Sequence, residues 1–146
     1  MSDDDEQSLA ERVVGAMMAK DAFSRALGME VLEVRPNAAA VRMTVRADML
    51  NGFGVCHGGA TFALADSALA FASNTHGRVT VSIENSMSYP KGVFEGDVLT
   101  ATALQEGDTN RLAFYRVTVC RPTGETVALF RGTVYKTSQD FFQDPE

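Results

Sequence analysis

A single aspartate interrupts a long apolar segment of this sequence. Asp66 stands in the Ala-rich run 60–74, which contains no proline or glycine and has almost no polar face. Burying an ionised carboxylate is costly and aspartate is a mediocre helix former, so its presence here calls for a reason. One reading is a carboxylate that faces a solvent-filled groove or pairs with an arginine. The other is a general base or nucleophile at the floor of a cleft.

A glycine-rich loop precedes the same segment. It runs from Asn51 through His57 to Gly58 and Gly59, where the predicted helix starts. The first N–H groups of a helix have no intrahelical acceptor and lie at the positive end of its dipole. Such an end can bind a developing oxyanion, and glycine lets a substrate approach the backbone. A plain tight turn would also use two glycines, and His57 fits a structural hydrogen-bonding role as well as a catalytic one.

The spacing between these two features predicts a dimer. Gly58 and Asp66 are eight residues apart, and eight residues span about 12 Å along a helix axis. A reacting carbonyl needs its oxyanion donor and its base within roughly 3 Å, or one water further. Two groups on one helix therefore cannot serve the same carbonyl. If both act, the base comes from a second copy of the chain, in an obligate dimer with two shared sites.

One buried helix and six strands are predicted to position these groups. Residues 8–27 have helical periodicity and end at Gly28, and two β segments at 29–35 and 39–46 flank the turn Pro36-Asn37 as a hairpin. The run 60–74, apolar all round, is typical of a buried helix. Four later β segments, with short connections that predict a meander, lie at 78–89, 97–105, 111–121 and 125–136. This layout predicts an α+β fold, with a sheet of about six antiparallel strands wrapped on one helix.

The charge of the chain is concentrated in its ends. The 146 residues show no repeat or linker, which predicts a single domain over 8–138 between acidic tails at 1–7 and 139–146. We expect the tails to be solvated, frayed ends. Without their seven acids, the formal net charge of −6 becomes about +1 for the body, which leaves it open to an anionic ligand. The seven acids are Asp3, Asp4, Asp5, Glu6, Asp140, Asp144 and Glu146.

The composition also argues against several classes of protein. The acidic balance is the opposite of that of a nucleic-acid-binding protein. No apolar run reaches the roughly 20 residues of a membrane span, and the acidic start is the reverse of a secretory signal, so we expect a cytoplasmic protein without membrane partners. Cys56 and Cys120 fit a reducing compartment. His57 and His76 lack metal-ligand spacing, and the loop glycines are one residue off the dinucleotide motif, so no metal or cofactor is predicted.

The loop and the aspartate together resemble a known family. The motif is Asn51-x-x-Gly54-x-x-His57-Gly58-Gly59, followed seven residues later by Asp66. It is similar to that of the hotdog-fold acyl-CoA thioesterases, most closely the PaaI branch of phenylacetic acid degradation. The resemblance extends from about residue 22 to residue 137. One departure is that Tyr89 and Pro90 are contiguous here, where family members often have two residues between the aromatic residue and the proline.

The resemblance implies a role for each residue of the motif. Asp66 would be the catalytic carboxylate, which activates water or attacks the thioester directly. The Gly58 N–H would polarise the thioester carbonyl from the opposite subunit. Asn51 would orient the water or the carbonyl. His57 would fix the loop, with a second role near the thiol leaving group.

The resemblance also implies a substrate class and an assembly. Gly59 and Ser82 are expected to contact substrate, Ser82 near the attacking water. The expected reaction is hydrolysis of an acyl-CoA, such as phenylacetyl-CoA or a hydroxylated form, to free acid and CoA by homodimers that pair into homotetramers. One alternative is a non-catalytic acyl-CoA-binding or sensor protein, which does not need a carboxylate in the helix. Another is a hotdog dehydratase or hydratase, which would require a histidine and a carboxylate around the α- and β-carbons.

Overall fold

Six antiparallel strands curl around one buried helix in the computed structural model, which describes residues 1–143. The helices are α1 (Asp3–Lys20), α2 (Ala22–Ala26) and α3 (Gly58–Asn74), with a 3-10 turn at Ala47–Met49. The strands are β1 (Glu30–Arg35), β2 (Ala38–Thr44), β3 (Arg78–Ser88), β4 (Val98–Asp108), β5 (Leu112–Cys120) and β6 (Thr126–Asp140). Their order in the sheet is β1-β2-β4-β5-β6-β3. The predicted α+β hotdog architecture is confirmed.

Helix α3 forms the centre of the core. Leu64, Leu69 and Phe71 are completely buried, and the sheet packs Val117 and other apolar residues against them. The alanines of α3 have small side chains, so the strands can lie close to the helix axis. Among the described helices, none combines the length and apolarity needed to cross a bilayer.

The amino-terminal end differs from the prediction. Helix α1 begins at Asp3, not at residue 8, so the expected frayed tail is wrong for residues 3–7. Ser2 and Asp5 form a reciprocal capping box, and acidic residues in the first turn interact favourably with the helix dipole. The predicted single helix 8–27 also breaks at Asp21 into α1 and α2.

The carboxyl-terminal end departs from the predicted boundary as well. Strand β6 continues to Asp140, two residues into the predicted tail that starts at residue 139. The acidic positions Asp144 and Glu146 lie outside the described residues.

The predicted meander is correct for β4, β5 and β6 but wrong for β3. Strand β3 pairs with β6 at one edge of the sheet, and β4 pairs with β2. Short turns determine pairing only between the strands that they join, whereas the connection 89–97 is long enough to lead to a distant position. Its residues Val93 and Asp97 accept backbone N–H groups from Cys56 and Val45, so the connection passes beside the glycine-rich loop.

Candidate active site

The Asn51 side chain shapes the glycine-rich loop. Its Oδ1 accepts the N–H groups of Phe53, at 2.9 Å, and Val55, at 3.3 Å. Gly54 has a φ of 77°, which L side chains rarely adopt, and this allows the loop to turn tightly. The Asn51 Nδ2 donates to no acceptor within residues 1–143, so it is the part of the side chain that can meet a bound molecule.

His57 caps α3. Its Nδ1 accepts the Gly59 N–H at 2.8 Å. Because Nδ1 acts as an acceptor, the neutral ring carries its proton on Nε2. His57 therefore has the structural hydrogen-bonding role that was one of its two predicted roles. Its exposed ring still offers the Nε2–H as a donor.

The two glycines at the start of α3 differ in what they can donate. The Gly59 N–H is taken by His57, and a Cβ at Gly59 would lie 2.9 Å from the His57 Nδ1. Gly59 can therefore contact a substrate only through its small surface. Gly58 is the first helical residue, and its N–H meets no acceptor in the part of the chain that the structure describes. The free N–H donor of this helix start is thus that of Gly58.

Asp66 is held by an amide, and it makes no ion pair within residues 1–143. Asn85 Nδ2 donates to Asp66 Oδ1 at 3.3 Å. Burial raises the pKa of the half-buried Asp66 carboxyl, the negative charge of Asp21 raises it further, and the Asn85 hydrogen bond opposes both. A carboxylate with a raised pKa is a stronger general base. The surroundings of Asp66 therefore favour a role as base or nucleophile over a structural ion pair with an arginine.

A β-bulge places Ser82 and Asn85 on the same face of β3. The Ser82 hydroxyl donates to Asn85 Oδ1 at 2.8 Å. Residues three apart in a regular strand point to opposite faces. The register of β3 against β6 shifts between Ser82 and Glu84, so that Ser82 pairs with Val134 and Asn85 with Gly132, both on the face towards α3. Ser82 therefore reaches Asp66 only through Asn85.

Gly132 provides the space for this contact. A Cβ at Gly132 would lie 2.8 Å from Asn85 Oδ1 and 2.5 Å from a methyl carbon of Leu69. Any larger residue would push β6 away from α3 or displace the Asn85 amide.

A second carboxylate lies near Asp66. Asp21 caps α2, and its two oxygens accept the Ser24 N–H at 2.9 Å and the Ser24 hydroxyl at 2.7 Å. The Ser24 and Ser67 hydroxyl oxygens are 2.7 Å apart in a buried contact. Because Ser24 gives its hydroxyl proton to Asp21, Ser67 donates to Ser24. This series of hydrogen bonds joins α2 to α3 at Ser67, the residue next to Asp66.

The six predicted site residues form two groups in one chain. Asn51, His57, Gly58 and Gly59 lie together at the start of α3, and Ser82 joins Asp66 through Asn85 at its middle. A cavity of about 660 Å³ lies elsewhere, between α1 and β1, and none of the six residues lines it. Each group therefore lacks the complementary group that acyl transfer requires.

Sequence reasoning missed two residues that hold these groups. Asn85 was not predicted, since its role depends on a bulge that has no proline or glycine signal at Ile83. The sequence marks Tyr89 only as the residue before Pro90, yet its hydroxyl donates to the Gly58 carbonyl at 2.9 Å. In the sequence, the only feature that pointed to Tyr89 was its direct contact with Pro90 along the chain.

A curled sheet of six antiparallel strands wrapped around one buried helix defines the hotdog class of fold. Residues 53–128 match the thioesterase superfamily. The chain belongs to this superfamily and is a thioester hydrolase.

Individual relatives show which members of the superfamily this chain is similar to. The chain is 39% identical to a putative esterase of Archaeoglobus fulgidus over 91% of its own length and 86% of the relative. It is also 39% identical to the acyl-coenzyme A thioesterase PaaI of Escherichia coli, covering 83% of this chain and 86% of that protein.

Solved structures agree with the sequence comparisons. The structure of E. coli PaaI, from the phenylacetic acid degradation operon, matches with a TM-score of 0.89 and 36% identity over 92% of this chain and 97% of that one. A Streptococcus mutans protein solved with bound acetyl CoA matches with a TM-score of 0.73 and 25% identity, over 77% and 90% of the two chains.

Proposed function

We propose that this protein hydrolyses acyl-CoA thioesters, of aryl- or arylacetyl-CoA type, to the free acid and CoA. The similarity to E. coli PaaI and to a protein that binds acetyl CoA supports this substrate class. The observation that carries the proposal is the half-buried Asp66, whose pKa is raised and whose Oδ1 is held by Asn85. One oxygen of this carboxylate is thus fixed while the other remains available for chemistry.

In the proposed reaction, Asp66 removes a proton from water as the water oxygen attacks the thioester carbonyl, or attacks that carbon itself. The carbonyl oxygen gains negative charge, which the Gly58 N–H at a helix start stabilises. The carbon–sulfur bond then breaks and CoA leaves as its thiol. Where Asp66 is the nucleophile, this leaves an anhydride between the acyl group and Asp66, which water then hydrolyses to the free acid and the regenerated carboxylate. The exposed Nε2–H of His57, beside the same donor, supports a role in hydrogen-bonding the departing sulfur, whose proton comes from the Asp66 carboxyl or from solvent.

A second copy of the chain supplies the missing half of each site in this proposal. Gly58 and Asp66 of one α3 are separated by about 12 Å, so one carbonyl meets Gly58 of one chain and Asp66 of the other. Two sites related by a two-fold axis result. Each site then contains the oxyanion donor, Asn51 and His57 from one copy and the carboxylate with Asn85 from its partner.

The edge of the sheet fits such a dimer. Strand β3 is an edge strand and exposes Val81 (47%) and Ile83 (57%). Exposed apolar edge strands readily pair with another chain. Because β3 also carries Ser82 and Asn85, pairing of two β3 edges would bring both carboxylate groups to the interface. We propose further that such dimers pair into tetramers, for which light scattering is the direct test.

Lys91 is the best candidate to meet the CoA phosphates. Three other basic residues, Arg78, Arg111 and Arg121, hydrogen-bond to protein groups. Lys91 makes no ion pair or hydrogen bond within residues 1–143, and it lies two residues after Tyr89, which contacts Gly58. A flexible ammonium group near the site suits a phosphate as a point charge.

Replacing Asp66 by Asn tests the proposed function. Because acid–base groups contribute about 10²–10⁴-fold, kcat should fall by that order while the dimer remains intact. The melting temperature should stay the same or rise, since the half-buried charge is removed. The assay is release of CoA, detected by a thiol reagent, over a panel of acyl-CoAs.

Three outcomes would contradict the proposal. Near wild-type turnover by the Asp66→Asn variant would show that the carboxylate is not part of the chemistry. Failure of the wild-type protein to release CoA from any aryl- or aliphatic acyl-CoA would refute the substrate class. Hydration of an enoyl-CoA without CoA release would instead identify a hydratase.

A further inference from the structure

We infer that Tyr89 is a positioning residue that holds the oxyanion donor of its own chain. This inference rests on the proposed function and concerns how the Gly58 N–H is kept in place. The Tyr89 hydroxyl donates to the Gly58 carbonyl oxygen at 2.9 Å. The two residues are 31 positions apart, so this bond joins the end of β3 to the start of α3.

The peptide unit between Gly58 and Gly59 is held at both of its polar atoms. Its carbonyl accepts from Tyr89, and its N–H donates to the His57 Nδ1 at 2.8 Å. Consecutive hydrogen bonds through one amide polarise each other, so each bond strengthens the other. The rotation of the chain at Gly58, and with it the direction of the Gly58 N–H, is therefore restricted by two side chains.

The Tyr89 ring also covers Gly58 from one side. A Cβ at Gly58 would lie 3.3 Å from both Cζ and Oη of Tyr89, tighter than an ordinary van der Waals contact. A side chain at position 58 would therefore push the ring away by a few tenths of an ångström.

The backbone on both sides of Tyr89 restricts its conformation. Ser88, the residue before it, is the last of β3 to pair with β6. The residue before a proline is restricted to extended backbone, so Pro90 limits the conformations of Tyr89. The contiguous Tyr89-Pro90 pair, the departure noted in the sequence, therefore has a structural consequence at the proposed oxyanion site.

Strand β3 contacts both groups of the site. Asn85 and Tyr89 are four residues apart, about 13 Å along a strand. Asp66 and Gly58 are about 12 Å apart along the helix. The matching lengths let β3 reach the carboxylate through Asn85, while Tyr89, the residue just after the strand, reaches the Gly58 carbonyl.

Replacing Tyr89 by Phe removes the hydroxyl and keeps the ring. The expected result is a fall in kcat of about threefold to tenfold, the value of one net hydrogen bond, with KM changed less than about twofold. A matched control is Tyr135→Phe, which removes a hydroxyl bonded to Arg111 and should leave kcat unchanged. Equal kcat in Tyr89→Phe and wild type would overturn the inference.

A second measurement does not depend on catalysis. In glycine-labelled protein, the Gly59 amide proton resonance should move upfield in Tyr89→Phe, because its bond to His57 loses the polarising partner. An unchanged Gly59 resonance would also overturn the inference. If the wild type hydrolyses no acyl-CoA, the proposed function fails, and the resonance still decides whether Tyr89 holds this peptide.

Discussion

The start and the middle of α3 hold their functional groups in different ways. At the start, the groups are held mainly by near neighbours: Asn51 binds N–H groups two and four residues away, and His57 binds Gly59. At the middle, Asp66 is held by Asn85, 19 residues away, and Ser67 by Ser24, 43 residues away. The first group is a local motif, and the second exists only when the sheet has closed around the helix.

The two regions also differ in electrostatics. The helix start is exposed and offers a backbone N–H with partial positive charge. The middle is half-buried, and burial together with Asp21 raises the pKa of its carboxyl. Hydrolysis of a thioester needs both kinds of group at one carbonyl. The separation of the two within one chain is what makes a shared site between two chains the central feature of the proposal.

At the start of α3, the largest effect is expected from removing the proposed oxyanion donor. Gly58→Pro deletes the N–H at the first helical position, where proline is well tolerated, and His57 already has the extended backbone that precedes a proline. Loss of one such donor should lower kcat by about 10²–10³. Gly58→Ala is the control: it adds a Cβ and keeps the N–H, so it should retain more activity, as CoA release will show. Equal loss in both variants would attribute the effect to crowding by Tyr89.

The same variant tests whether the two regions act across chains. Mixed dimers of one Asp66→Asn chain and one Gly58→Pro chain, purified through two different tags, contain one intact site if the site is shared. They should show about half of the wild-type kcat per dimer, although each parent dimer is nearly inactive. Activity no higher than the parents would place both groups in one chain and contradict the shared site.

A smaller effect is expected at the carboxylate. Asn85→Ala removes the donor that favours the charged form, so the pKa of Asp66 should rise further. Because the reaction needs the ionised carboxylate, the acid limb of the kcat/KM profile should move to higher pH, with a loss of about tenfold below neutrality. Ser82→Ala should shift it less in the same direction, and Ser86→Ala, at an exposed neighbouring position, should not shift it. A limb that moves to lower pH would contradict the role of Asn85.

The contrast also explains what the sequence could predict. The glycine loop and the buried helix around Asp66 could be predicted from residues within one short segment, and the proposal of a second chain rests on the same segment. The pairing of β3 with β6 and the bulge at Ile83 depend on long-range contacts with no local signal, so Asn85 was missed. The acidic residues at the start read as a solvated tail, because a capping box at Ser2 precedes a turn with no apolar residue.

The smallest effect is expected from replacing Asp21, which influences the Asp66 carboxylate only through its negative charge. Asp21→Asn keeps an oxygen to cap α2, so the melting temperature should change little. Loss of the negative charge should lower the pKa of Asp66, and the acid limb of kcat/KM should move to lower pH, opposite to Asn85→Ala. A weaker base is also a slower one, so the plateau should fall by about twofold or less. Asp48→Asn makes the same change of charge at an exposed ion pair with Arg46. An equal shift of the acid limb in that variant would show that the shift comes from the net charge of the protein and not from the position of Asp21.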